Sequence, residues 1–231
     1  MVLSELIQRS PIRILEQSLH GGLGPGEIGI IASLSGIGKT SVLVQLALDK
    51  LLQGEKVIHV SFTQHAHYVL SWYEDIFNEF ISRKNLENAA DIKNNLVKNR
   101  VLMNFNQDGV SKEQILKSLR AMIVEGGFAA QAIIIDGFDF SRADSACFAS
   151  VKAFAEELGL SIWYSCTVKD QHYDKRNIPL AIKDFTGLID VVIVLDPKPN
   201  HIDLSVSKDR DSYDTKALAM RLDPKTLLIR E

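Results

Sequence analysis

Short runs of apolar and β-branched residues alternate with longer segments of helical periodicity along most of the chain. Six of these runs are predicted to be strands, at residues 27–33, 56–62, 100–105, 131–138, 160–167 and 190–196. Runs this continuous are typical of strands buried on both faces, as in a parallel sheet covered by helices on each side. The pattern therefore predicts an α/β fold with a mainly parallel sheet.

Two of the intervening segments have clear helix signals. Residues 41–54 are apolar around most of the helix circumference and end at a glycine. A second segment opens with Ser111 and Gln114 in the spacing of a capping box and runs to the glycine pair at 126–127. Both segments are predicted to be helices that pack on the sheet.

The rhythm changes after residue 196. Three strand-like segments follow with no room for helices between them, at residues 201–210, 217–223 and 226–231. Strands joined this closely pair in an antiparallel manner. The C-terminal part is therefore predicted to add antiparallel strands to one edge of the sheet.

Composition narrows the class of protein. A chain of 231 residues that is 46% hydrophobic suits one α/β domain. We expect a single domain over residues 1–231, with a lead-in segment at 1–20 and β-hairpins at 197–231. The formal charge of −3 argues against a whole surface built to neutralise phosphates, although a local basic loop is compatible with it.

Cysteine content and hydropathy bear on the environment. Cys147 and Cys166 are too few and too far apart for a disulfide framework, which favours a reducing cytoplasm. No run of about eighteen apolar residues occurs, so we predict no membrane span.

A glycine-rich loop connects the first predicted strand to the first predicted helix. Its sequence, SLSGIGKTS at residues 33–41, follows the G-x-x-x-x-G-K-[ST] pattern of phosphate-binding loops except that Ser33 replaces the first glycine. A small residue with negative φ there would preserve the turn. The pattern predicts a nucleotide site formed by Ser35, Gly36, Ile37, Gly38, Lys39, Thr40 and Ser41. The alternative is a helix N-terminus that contains Gly-Lys-Thr by chance.

A metal partner is expected at the end of a neighbouring strand. Asp136 follows four apolar residues, and a buried strand that ends in an acid is costly unless something pairs with it. Thr40 and Asp136, the latter through water, are therefore predicted to hold Mg²⁺ beside ATP. In the alternative, Asp136 only caps the next turn.

The chain resembles the ATPase core of the RecA superfamily, above all DnaB-type replicative helicases and KaiC-like ATPases. The resemblance begins at GGLGPGEIGIIASLSGIGKTSVLVQLAL and continues through VKAFAEELGLSIWYSCT, NIPLAIKDFTGLIDVVIVLD and SVSKDRDSYDTKALAMRLDPKTLLI. It covers roughly residues 12–230. It implies a sheet in which the 161–167 strand lies between the glycine-rich loop strand and the Asp136 strand.

The same resemblance implies a homo-oligomeric ring or filament. In that family the residues at the positions of Lys208 and Arg210 reach a nucleotide held by the adjacent subunit. The alternative is a solvated charge cluster on an edge strand, in which Asp209 and Asp211 pair with these two side chains.

The departures from the family concern hydrolysis. The family has a glutamate just after its second strand to polarise the attacking water, and this chain has Thr63 and Gln64 there. Gln64 could orient water, and Asp139 is the nearest acid that could replace the base. The family's glutamine at the tip of the fifth strand is matched by Cys166, with Ser165 and Thr167 as substitutes.

Three functions remain open from the sequence. The first is an oligomeric ATP-binding protein with weak or absent hydrolysis, in which ATP controls assembly or the binding of a protein partner. The second is an active DNA-dependent ATPase of replication or recombination that works as a ring, with Lys208 and Arg210 acting in trans. The basic loop at 168–177 lies where the family contacts single-stranded DNA; the alternative is a solvated loop in which Asp170 and Asp174 balance its charge. The third is a scaffold that has lost its nucleotide. Whether the chain is an enzyme is left open.

Overall fold

The computed structural model describes residues 7–8, 10–63, 65–84, 88–169 and 172–230. A nine-stranded sheet forms its centre, in the order β3-β2-β4-β5-β1-β6-β7-β8-β9. The strands are β1 (Ile28–Ser33), β2 (Val57–Ser61), β3 (Arg100–Asn104), β4 (Ala132–Asp136), β5 (Ser161–Thr167), β6 (Val191–Pro197), β7 (Ile202–Asp209), β8 (Lys216–Leu222) and β9 (Ile229–Arg230).

The first six strands are parallel, as their apolar runs predicted. β5 pairs with β1 on one side and with β4 on the other, so the 161–167 strand lies between the two strands that carry the predicted site. Every residue of β1, β2 and β4 is buried, because helices cover both faces of the sheet. The α/β class and the mainly parallel sheet are therefore confirmed.

The C-terminal strands extend the sheet in the antiparallel sense, which is also confirmed. β7 pairs with β6, β8 with β7, and β9 with β8. β9 has only two residues, whereas the apolar pattern predicted a strand over 226–231. The chain at 223–228 instead forms a turn in which Leu227 has a φ of +56°.

Six α-helices have defined bounds in the described part of the chain: α1 (Pro11–Ser18), α2 (Lys39–Leu52), α3 (Ala66–Lys84), α4 (Ala89–Lys98), α5 (Lys112–Arg120) and α6 (Ser145–Leu158). The predicted capping box of α5 is present, with Ser111 and Gln114 bonded reciprocally. This helix ends earlier than expected and continues as a π-helical turn over Ala121–Glu125. The predicted lead-in segment contains α1, which Ser10 caps and Pro11 opens.

Two apolar cores lie on opposite faces of the sheet. One is formed with α1, α2, α3 and α4 together with β8 and β9, and the other with α5, α6 and the 3₁₀ segment Leu180–Leu188. Parallel strands end at the same edge, so Ser33, Ser61, Asp136 and Thr167 meet there. In open α/β sheets this edge is where ligands bind.

Candidate functional site

The backbone of the glycine-rich loop needs glycine at two positions. Gly36 has a φ of +77° and Gly38 a φ of +105°, a region that side chains with a Cβ rarely adopt. A Cβ at Gly38 would also lie 2.5 Å from a methyl carbon of Leu222. Ser33, in contrast, belongs to β1 and has no positive φ, so the turn tolerates a serine where the pattern has glycine.

Lys39 lies almost buried inside the loop, with 8% of its surface exposed. Its ammonium donates to the Leu34 carbonyl at 2.8 Å, the Ser33 carbonyl at 3.2 Å and the Ser33 hydroxyl at 3.3 Å. Burial lowers the pKa of Lys39, although the nearby Asp136 acts to raise it. A cation held this way is positioned to gain from an anion that enters the loop.

Thr40 and Asp136 meet across the strand edge. The Thr40 hydroxyl donates to an Asp136 carboxylate oxygen at 2.8 Å, and Asp136 is 4% exposed. Asp136 thus has a partner in the site, which accounts for a carboxylate at the end of a buried strand.

The remaining predicted loop residues have three different surroundings. Ser35 and Gly36 line the cavity in front of the loop. Ile37 packs against the apolar core on the α2 face. The Ser41 hydroxyl donates to the Leu227 carbonyl, so this side chain binds the C-terminal turn.

A cavity of about 830 Å³, here called the loop cavity, opens in front of Lys39 and Thr40. Its volume is in the range of small-molecule sites, about 300–1,000 Å³. The wall also includes the ends of β4 and β5, and it brings Asp136, Asp139 and Thr63 into one space.

The position expected to hold a catalytic acid is occupied by Thr63, which is exposed and lines the loop cavity. Its side chain lies against Gly137, where an added Cβ would come within 2.4 Å of the Thr63 hydroxyl oxygen. Gln64, the other candidate, lies outside the described residues. A hydroxyl at Thr63 has no carboxylate with which to take a proton from water.

The Asp139 carboxylate is hydrogen-bonded within its own turn. Its carboxylate accepts from the backbone N–H of Ser141 at 3.0 Å and from the Ser141 hydroxyl at 2.7 Å, and it lies 3.6 Å from Arg142. The Ser141 hydroxyl bond, above all, lowers the pKa of Asp139. A carboxylate stabilised in its charged form is a weaker base.

The end of β5 carries Cys166, at the position where the resemblance predicts a glutamine, and the two possible substitutes Ser165 and Thr167. Cys166 is buried, and burial raises the pKa of its thiol to about 12. The hydroxyl of Ser165 accepts from the Gly137 N–H at 2.8 Å and so links β5 to the residue after Asp136. Thr167 lies in the wall of the loop cavity.

Lys208 and Arg210 lie near the start of β6, at the sheet edge opposite the glycine-rich loop. Lys208 pairs there with Val192, and Asp209 with Val191. Lys208 is 6% exposed and donates to the Ile189 carbonyl, and burial lowers its pKa. The structure does not bring these two residues to the loop of their own chain.

The Arg210 guanidinium is fully engaged within the chain. It donates to both carboxylate oxygens of Glu27, at 3.0 and 2.7 Å, and to Asp209 at 2.6 Å. It also donates to the carbonyls of Leu19 and Gly22, at 2.9 and 2.7 Å. This accounts for all five N–H donors that an arginine has. Arg210 therefore fastens the segment after α1 to the start of β1.

The basic loop after β5 is partly folded back on the chain. Lys175 and Arg176 are exposed, and the Arg176 guanidinium lies 4.7 Å from the ring centre of Tyr213. Asp174 accepts from the N–H groups of Arg176 and Ile178, which fixes the turn. The loop therefore presents its cations to solvent beside an aromatic ring.

Comparison with models of protein families and with curated proteins finds no match to this chain. None of the helices in the described part of the chain is long and apolar enough to cross a membrane. The architecture and the side chains are thus the observations from which function is inferred.

Three residues at the site had no local signal in the sequence. Leu222 packs on Gly38, Leu227 accepts from Ser41, and Trp72 of α3 lines the loop cavity. Each reaches the site from an element far away along the chain. Only a pattern that linked distant segments could have identified them.

Proposed function

We propose that this chain is a RecA-superfamily nucleotide-binding protein that binds ATP with Mg²⁺ and hydrolyses it slowly or not at all. The observation that carries this proposal is the joint placement of Lys39 and the Thr40–Asp136 pair around one cavity. A lysine at the loop, a hydroxyl and a strand-end carboxylate are the set that holds a metal-bound triphosphate in such proteins.

The residues present fit the metal and the triphosphate. Thr40 would bind Mg²⁺ through its hydroxyl oxygen, and Asp136 would hold it through water. No cluster of three or more His, Cys, Asp or Glu occurs in the described ranges, which is compatible with a metal completed by phosphate and water oxygens. Bound Mg²⁺ would supply charge neutralisation for the β- and γ-phosphates.

Slow hydrolysis follows from the groups on the other side of the cavity. Thr63 offers no carboxylate, and the charged form of Asp139 is stabilised by Ser141. Positioned general-base catalysis contributes about 10²–10⁴-fold. Without a general base the site would still bind ATP, but the rate of hydrolysis would fall.

A nucleotide that is bound but not consumed suits a control function. Binding to the native state stabilises that state by RT ln(1 + L/Kd), where L is the concentration of free ligand. We propose that ATP in this way sets homo-oligomer assembly or the binding of a protein partner. Contacts of Lys208 and Arg210 with a neighbouring subunit belong to this proposal. Lys208 would first have to leave the Ile189 carbonyl, and Arg210 its five acceptors.

The test is calorimetric titration with ATP and Mg²⁺, followed by single-turnover hydrolysis with radiolabelled ATP. We expect binding in the wild type, a loss of about 30-fold or more in affinity in Lys39→Ala, and little labelled phosphate released. Brisk turnover that Lys39→Ala abolishes would overturn the slow-hydrolysis part. If neither ATP nor ADP binds or raises the melting temperature, the nucleotide-free scaffold is correct.

The exposed Lys175 and Arg176 favour a second candidate, a DNA-dependent ATPase. Basic side chains beside an aromatic ring suit a single-stranded phosphate backbone. This candidate expects single-stranded DNA to stimulate hydrolysis and the double change Lys175→Ala, Arg176→Ala to remove the stimulation. Hydrolysis that is indifferent to DNA would eliminate it.

A further inference from the structure

Part of the wall of the loop cavity is formed by the segment just after β5. Thr167, Val168 and Lys169 line the cavity there. Lys39 and Lys169 are the two lysines of this wall, and its described residues include no arginine. A second cation therefore borders the space in front of Lys39 and Thr40.

The backbone holds Lys169 in place from both sides. The N–H of Val168, a buried residue, donates to the Ser33 carbonyl at 2.9 Å. The same carbonyl accepts from the Lys39 ammonium at 3.2 Å. On the other side, the Lys169 carbonyl accepts from the His172 N–H at 3.0 Å. Lys169 is therefore fixed one residue beyond a group that is bonded to the glycine-rich loop strand and to Lys39.

The Lys169 side chain is exposed, and within the described part of the chain its ammonium has no hydrogen bond or ion pair. Two carboxylates border the same cavity, and both have other partners. Asp136 accepts from Thr40, and Asp139 accepts from Ser141. The Ser141 hydroxyl above all, and Lys169 to a lesser degree, lower the pKa of Asp139. The charge of Lys169 thus acts within the cavity and remains available to an anion.

The metal pair indicates where the terminal phosphate of ATP would lie. Mg²⁺ held by Thr40 and Asp136 would bind oxygens of the β- and γ-phosphates. β4 ends at Asp136 and β5 at Thr167, and these two strands are neighbours in the sheet. Lys169 follows the end of β5 by two residues. It is therefore on the γ-phosphate side of the cavity.

The cations that the resemblance assigns to a neighbouring subunit are engaged elsewhere. Lys208 donates to the Ile189 carbonyl, and all five Arg210 donors have acceptors within the chain. To reach a phosphate, either side chain would have to break these contacts. Lys169 would break none.

We propose that Lys169 is a second cation for the terminal phosphate of ATP, and that each chain supplies it to its own site. Lys39 would hold the β- and γ-phosphates from the glycine-rich loop, and Lys169 would hold the γ-phosphate from the end of β5. ADP lacks this group and gains nothing from Lys169, so the residue would make the protein distinguish ATP from ADP. This inference rests on the proposed nucleotide binding.

The experiment compares ATP with ADP, which differ by the group that Lys169 would bind. Kd is measured for both nucleotides by calorimetry in Mg²⁺. We expect Lys169→Ala to weaken ATP binding about tenfold and to leave ADP binding unchanged. This is the low end for a charge-assisted hydrogen bond, because water screens an exposed side chain. Lys169→Arg keeps the charge and should lose less.

Lys183→Ala is the matched control. Lys183 is an exposed lysine of the 3₁₀ segment that follows, and it does not line the loop cavity. Its replacement changes the net charge by the same amount, and the variant should bind both nucleotides like the wild type. Equal losses in the Lys169 and Lys183 variants would mean that only long-range charge is involved, and would overturn the proposal.

A mixing experiment tests whether the cation comes from the same chain. Lys169→Ala is mixed with an excess of Lys39→Ala, whose subunits carry Lys169 but should bind ATP poorly. We expect the ATP affinity of the Lys169→Ala sites to stay low, because a neighbour's Lys169 does not reach them. Restored affinity in the mixture would show that the cation acts between subunits, which contradicts the proposal.

Failure of this inference can be told apart from failure of the proposed function. If ATP binding depends on Lys39 but Lys169→Ala binds ATP like the wild type, or weakens ATP and ADP equally, Lys169 does not recognise the terminal phosphate and the proposed function stands. Unchanged ADP binding also shows that the variant is folded. If neither ATP nor ADP binds the wild type, the proposed function fails and this inference fails with it.

Discussion

Two strands that end at the same edge of the sheet, β1 and β2, differ in what they offer a nucleotide. The end of β1 continues into the glycine-rich loop, where the Lys39 ammonium donates to a backbone carbonyl of the loop. Thr40, at the start of α2, is hydrogen-bonded to Asp136. The chain after β2 carries Thr63, whose side chain lies against Gly137. The first set is suited to hold a triphosphate, and the second lacks the carboxylate that would activate water. Under the proposed function, binding a nucleotide and cleaving it would therefore be separable at this edge of the sheet.

The largest expected effect comes from supplying the missing acid. Thr63→Glu should raise the rate of ATP hydrolysis about 10²-fold, the low end of what a positioned base contributes. Single-turnover assays with labelled ATP measure it. Thr63→Gln, of the same size but without a carboxylate, is the control and should stay at the wild-type rate. Equal rates in all three proteins would mean that the difference between the strand ends lies elsewhere.

The comparison of the two strand ends also depends on whether Arg210 has a structural role within its own chain. Because its guanidinium holds Glu27 and two backbone carbonyls, Arg210→Ala should lower the free energy of unfolding by about 2–3 kcal/mol. Urea denaturation measures this loss. Arg221→Ala is the control, because its pair with Asp203 is exposed and should contribute less than about 1 kcal/mol.

An unchanged stability combined with lost hydrolysis in assembled Arg210→Ala would contradict the structural role. It would indicate that a neighbouring subunit supplies part of the catalytic machinery that the end of β2 lacks.

The smallest effect concerns the pH dependence of binding. Burial lowers the pKa of Lys39 in the free protein, and a bound triphosphate beside the ammonium should raise it again. Between the two pKa values binding takes up a proton, so affinity for ATP should fall as pH rises towards the ordinary lysine pKa of about 10.4, by at most tenfold per pH unit. Calorimetry across this range measures the trend.

Lys39→Arg gives the matched comparison, because a guanidinium keeps its charge across this range. Its affinity for ATP should vary less with pH. A wild-type profile as flat as that of the variant would mean that Lys39 remains fully charged throughout.

The sheet was predictable because its signals are local. Uninterrupted apolar runs such as residues 27–33 reveal burial on both faces, and the order β4-β5-β1 followed from the resemblance. The helix in the lead-in segment was missed, although Ser10 and Pro11 form a recognisable start. The strand predicted at 226–231 was too long, because only Ile229 and Arg230 pair with β8, while the preceding residues form a turn held against α2.

The sequence by itself determined the parallel core and the glycine-rich loop, because apolar periodicity and a closely spaced motif encode them. The sequence named Thr40 and Asp136 as a candidate metal pair, and the packing of the sheet brought them together. Only the tertiary structure decided that Arg210 is bound within its own chain, to Glu27. It alone placed Trp72 and Leu227 in the wall of the loop cavity. Such contacts join residues far apart in the chain. They therefore form only when the sheet and its helices pack together.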